Sequence, residues 1–217
     1  MKRKIFSFCL VLLLGYVLAT LLNLPTLNVG LLKFRGYCRS CDLTNVNLEA
    51  MDLHGADLYS ATLTGANLSR TNLAGANLVM VNLKGTDLSY TELYNANLTE
   101  ANLAGINLAW ANLTGVDLSG SDLTGANLNQ TVLINADLTD AKIEQGKLDE
   151  ALLCHTKTSD GSVSGCDLSG RNLTGVDLRQ ASLAKANLTG ANLTGADLSW
   201  VDLSEADLSE VNLTGTA

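Results

Sequence analysis

Between Leu43 and Leu213 one register of every fifth residue runs without a slip, and 32 of its 35 positions are Leu; Ile143, Thr158 and Val163 fill the others. A five-residue period fits neither the 3.6 of a helix nor the 2 of a flat strand. It demands a chain that turns a corner once per repeat and returns each Leu to one shared interior. No repeat of this length can bury its own Leu, so the coils must stack and fill the core jointly.

Aligned on the Leu, the repeat reads Ala-(Asp/Asn)-Leu-(Ser/Thr)-Gly, as in Ala66-Asn67-Leu68, Ala76-Asn77-Leu78, Ala126-Asn127-Leu128 and Ala196-Asp197-Leu198. In an extended segment the Leu and the small residue two places before it face the same way, and the Asp or Asn between them faces out. Ser/Thr and Gly then form the corner, where Gly tolerates positive φ and hydroxyls bond the backbone locally.

These residues closely resemble the pentapeptide-repeat family, whose motif is A(D/N)LXX, over residues 41–217. The resemblance implies an all-β fold, a right-handed quadrilateral parallel β-helix (a solenoid) with four repeats per coil. Residues 20 apart then stack, giving outer columns such as Asn77, Asn97, Asp117, Asp137 in which amides bridge carboxylates.

The first 35 residues are of another kind. Lys2, Arg3 and Lys4 precede a stretch, Ile5 to Leu32, without one charged side chain. This pattern predicts one N-terminal apolar helix ahead of the solenoid, acting as a signal peptide or as a signal-anchor transmembrane segment. The absence of a small-x-small cleavage site favours the anchor. Cations before the apolar run place the repeats outside the cytoplasm, in a periplasm or thylakoid lumen, with secretion after cleavage as the alternative. The expected organisation is 1–35 targeting segment, 36–153 β-helix, 154–166 loop or irregular coil, and 167–217 C-terminal coils.

Residues 154–166 lose the motif but keep the register, and Asp160-Gly161 is a turn signal. Just before, Lys142, Lys147 and Lys157 replace Asp/Asn at the outer position, either as a basic ridge or as balance for nearby acids. Apart from Cys9, four cysteines remain, and in an exported chain they predict disulfides Cys38–Cys41 and Cys154–Cys166. A zinc site built from all four competes poorly, because the pairs lie several coils apart.

All 22 acidic residues lie after residue 35, which disfavours direct nucleic-acid binding. The two histidines, His54 and His155, have no nucleophile nearby in the pattern, and no phosphate loop, dinucleotide fingerprint or metal-ligand spacing occurs. The chain therefore reads as no enzyme, with no cofactor. Its most distinctive surface feature is aromatic: Tyr90 and Trp110 fall 20 apart at a corner, with Arg70 and Gln130 extending the column. Such residues mark a candidate interaction surface. The expected function is a protein-binding rod or scaffold, held at a membrane or exported, with an unknown protein partner and with end-to-end homodimerisation through the last coil. The alternative, drawn from the family resemblance, is an acidic DNA mimic that binds DNA gyrase.

Overall fold

The computed structural model describes residues 25–217. Each repeat bends at a four-residue turn, as where the Val46 N–H donates to the Leu43 carbonyl and Asn45 takes φ +55°. Positive φ is the reason glycine recurs at this corner. Arg70, Tyr90 and Trp110 adopt it too, with φ between 58° and 63°. Their N–H groups bond the next coil, Tyr90 to Ala109 and Trp110 to Asn129, which helps offset a left-handed cost of about 1 kcal/mol.

The coils pair as a parallel ladder with a 20-residue step: Asp57 with Asn77, Asn77 with Asn97, Asn97 with Asp117. At five residues per side, that step gives four sides per coil. Each side contributes a single bridged residue rather than a strand. Inside, every Leu of the register from Leu43 to Leu138 is buried, and the small residues two places before complete the core. Each such Leu contributes roughly 2 kcal/mol. Where Thr replaces the small residue, its hydroxyl is sealed in and donates to a Leu carbonyl of the preceding coil: Thr71 to Leu48, Thr86 to Leu63, Thr91 to Leu68, Thr131 to Leu108.

The outer Asp/Asn has a second role beyond column bridging. Its Oδ1 accepts the N–H two residues on, as from Ser119 to Asp117 at 3.0 Å, and the Ser119 hydroxyl adds a bond of 2.6 Å to the same atom. This local turn explains why Asp or Asn is followed so often by Leu and then Ser or Thr. Column bridging also occurs: the Asn77 amide donates to Asp57 and the Asn107 amide to Asp87.

Ahead of the first coil stands α1, Pro25–Arg35. Pro25 opens it, where a missing N–H costs nothing, and Gly36 closes it with φ +69° and an N–H bonded to the Leu32 carbonyl. Leu32 and Asn28 are buried, and the Asn28 amide donates to the Asp42 carbonyl. The helix is thus a lid on the open end of the stack.

This corrects the expected membrane placement. Among the described residues no helix is long and apolar enough to cross a membrane. Eleven residues span only about 16 Å against a hydrocarbon core of about 30 Å. Nor is α1 the uniformly apolar helix expected, since Thr26, Asn28, Lys33 and Arg35 interrupt it. The apolar run that motivated a signal or anchor, and Cys9 within it, fall mostly in residues 1–24, outside the described residues.

The ladder runs to Asp137–Lys157 and restarts at Asp167–Asn187. Between them lie a short helix, α2 (Gln145–Leu148), and a small hairpin in which Lys157 bridges Val163 in antiparallel fashion. The hairpin turns at Thr158–Gly161, and the Asp160 carboxylate accepts from the Thr158 hydroxyl and from the Ser162 N–H and hydroxyl. The Thr158 hydroxyl bond leads these in holding the Asp160 carboxyl down to about 2. The second stack does not continue the first one's Leu column. Its core, Leu168, Leu173, Leu178 and onward, packs with Val132, Ile134, Leu152 and Cys154, which are outward positions of the first stack. Its first coil is therefore seated on a flank of the first stack.

Candidate interaction surface and interstack junction

Residues 70, 90, 110 and 130 occupy one corner of successive coils, and the coil rise of about 4.8 Å brings their side chains into contact. The rings of Tyr90 and Trp110 lie 6.2 Å apart and 6° from parallel, and the Arg70 guanidinium sits 5.3 Å from the Tyr90 ring centre. A cation on one face and an aromatic on the other hold the Tyr90 ring in place. Tyr90 is 51% exposed. Trp110 is half-buried because it packs on the core of the second stack, and the Gln130 Oε1 is buried with no hydrogen-bond partner among the described residues. The column thus has an open end, Arg70 and Tyr90, and a covered end, Trp110 and Gln130.

The covered end runs into a junction that sequence reasoning missed. Arg179, on the second stack, reaches Glu92 of the first at 2.7 Å and Asp177 of its own stack at 2.6 Å, with Asp197 at 3.6 Å. The Arg179 carbonyl accepts from the Asn112 amide. Bonds to Asp177, and then to Glu92, push the guanidinium further toward its charged form against the opposing effect of burial. The available signal was chemical: Val132 and Leu152 put apolar side chains where the repeat calls for Asp or Asn.

The remaining sequence-selected residues separate. Cys38 is bonded to Cys41 beside α1, and Cys154 to Cys166 at the junction. His54 is exposed and lies 2.9 Å from Asp52, whose pKa is lowered chiefly by that side-chain bond. His155 is exposed with Nδ1 3.6 Å from Cys154 Sγ. The three lysines sit beside acids: Lys142 near Asp122, Lys147 near Glu150, Lys157 near Asp137. Local charge balance accounts for the ridge.

A fold of five-residue sides, inward Leu and outward Asx turns defines a class, and comparison with known proteins names it. The family model for Pentapeptide repeats matches in overlapping copies over residues 41–153 and 163–216. The chain belongs to the pentapeptide-repeat family, whose members fold as right-handed β-helices and are generally non-enzymatic structural or binding proteins. Among solved structures it is similar to HetL, a pentapeptide repeat protein involved in heterocyst differentiation regulation in the cyanobacterium Nostoc sp. strain PCC 7120, at 32% identity, covering 82% of this chain and 89% of that one, with a TM-score of 0.30. It is also similar to a pentapeptide repeat protein of the Arabidopsis thaliana thylakoid lumen, at 26% identity over 59% of this chain and 85% of that one, TM-score 0.41. The plasmid-mediated fluoroquinolone resistance protein QnrB1 matches at 17% identity over 82% of each chain, TM-score 0.34. No curated protein matches.

Proposed function

We propose that this pentapeptide-repeat scaffold binds a protein partner through the open end of the aromatic column, Arg70 and Tyr90. One observation carries the reading: Tyr90 is half exposed yet held on both faces, by Arg70 and by Trp110. An aromatic ordered in advance loses little entropy on binding, and the surrounding surface is small and polar. The test is affinity capture by the full chain compared with Arg70→Ala and Tyr90→Ala. Loss of the same captured protein in both variants, with unchanged thermal midpoints, is the expected result; retention in both sinks the reading.

Self-association is a second reading for the far end of the second stack. Trp200 is 84% exposed there, and Leu208 and Leu213 are 37% and 44% exposed at positions that are buried elsewhere. Sedimentation as a monomer at high micromolar concentration would remove it. The acidic gyrase-binding alternative draws support from carboxylates stacked one coil apart, Asp117 on Asp137. Direct titration of gyrase with the full chain decides it, and no shift in gyrase mobility would end it.

A further inference from the structure

The Cys154–Cys166 bond lies where the two stacks meet. Cys154 is an outward residue of the first stack, fully buried in the core of the second, with its sulfur 3.8 Å from the Ser182 carbonyl. Cys166 enters from the first coil of the second stack. His155, at a positive-φ corner, turns its ring back beside Cys154. The three ligand atoms, two sulfurs and Nδ1, lie within 4.8 Å of one another.

We propose that, once this disulfide is reduced, Cys154, Cys166 and His155 Nδ1 form a three-ligand zinc site that clamps the interstack junction. Two electrons and two protons from a dithiol, itself oxidised to its disulfide, open the S–S bond to two thiols. Zinc then displaces the two thiol protons. Two thiolates and a neutral imidazole leave the Zn²⁺ complex uncharged, which suits a half-buried position. Soft sulfur with imidazole favours zinc over calcium or magnesium. The 3.6 Å between Cys154 Sγ and His155 Nδ1 is about the separation of two ligands on a tetrahedral zinc, roughly 3.6 Å. Exposure of His155 leaves the fourth position to water.

The experiment uses the full chain, reduced with a phosphine that does not compete for metal, and titrated with Zn²⁺. Thiol alkylation mapped by peptide mass spectrometry gives the location. Zinc should protect Cys154 and Cys166 together, and Zn²⁺ affinity should fall about tenfold or more in both His155→Ala and the ring-sized His155→Phe. His155 is exposed, so neither change threatens folding. Unprotected Cys154 and Cys166, protection confined to Cys38 and Cys41, or equal affinity in the His155 variants overturns the proposal. The oxidised protein should bind no zinc at this site.

Discussion

Arg179 of the second stack donates to Glu92 of the first at 2.7 Å, across a gap of 87 positions in the chain. It is the charged contact that fastens one solenoid segment to the flank of another, and Asp177 on the same guanidinium fixes its aim. Replacing Arg179 with Met removes these bonds and leaves three carboxylates, Glu92, Asp177 and Asp197, without their shared cation. The expected cost is about 2 kcal/mol, less than a fully buried pair would lose. Hydrogen exchange should rise over 167–217 and stay unchanged over 41–130. Uniform exchange across both stacks would show that the junction is not held here.

The buried hydroxyls divide into two sets. Thr91 donates to the Leu68 carbonyl, whereas the Ser121 hydroxyl has no partner among the described residues. Thr91→Val should lower stability by about 1 kcal/mol, while Ser121→Ala should be neutral or stabilising. Denaturant midpoints of the two variants, measured side by side, check the contrast.

Stability should fall in acid, through the outer aspartates. Asp202 and Asp207 have lowered pKa values, the first chiefly from the Ser204 N–H and the second chiefly from the Ser209 hydroxyl. Asp122 is lowered likewise, foremost by the Thr124 side chain. A carboxyl with a lower pKa in the folded state adds stability above its unfolded value of about 3.9, and that stability disappears as pH falls through the folded value. Asp→Asn at these three positions keeps the Oδ1 acceptor but removes the titration. The triple variant should lose less stability than the parent between pH 5 and pH 2, a range chosen to bracket roughly the carboxyl titration; an equal loss would refute the assignment.

The lysine ridge should matter little. Lys142 and Lys157 stand 3.9 and 3.2 Å from Asp122 and Asp137, all well solvated. Returning either Lys to the Asn of the repeat should shift stability by no more than about 0.5 kcal/mol, and added salt should erase the shift. A larger, salt-resistant change would give the ridge a structural role.

The solenoid was legible because Leu at one register has one physical meaning, an interior column. The corner chemistry was legible only in part. Gly at the corner pointed to positive φ, but Ser and Thr were read as bonding the backbone alone, whereas Ser119 also bonds the Asp117 carboxylate. The aromatic column followed from the 20-residue step, yet the burial of its Trp110 end did not, because that depends on a contact between distant coils. Val132, Leu152 and Arg179 make this contact while obeying the five-residue register, so periodicity alone is blind to it. Membrane placement was inferred from charge and apolarity at the N-terminus, and within the described residues that inference met a helix used as a lid.

A ladder lets go from whichever edge is bare. The first stack is covered by α1 at one end, and the second stack's opening coil is seated on the first stack's flank. The N–H groups of Leu183, Leu188 and Leu193 each reach a carbonyl in the following coil, but those of Leu203, Leu208 and Leu213 have no following coil among the described residues. Among the described residues, this last coil is a loose tab on the zipper. Heat or mechanical pull should peel it from the Trp200 side inward, and the aromatic column should stay intact until the Arg179 fastening gives way.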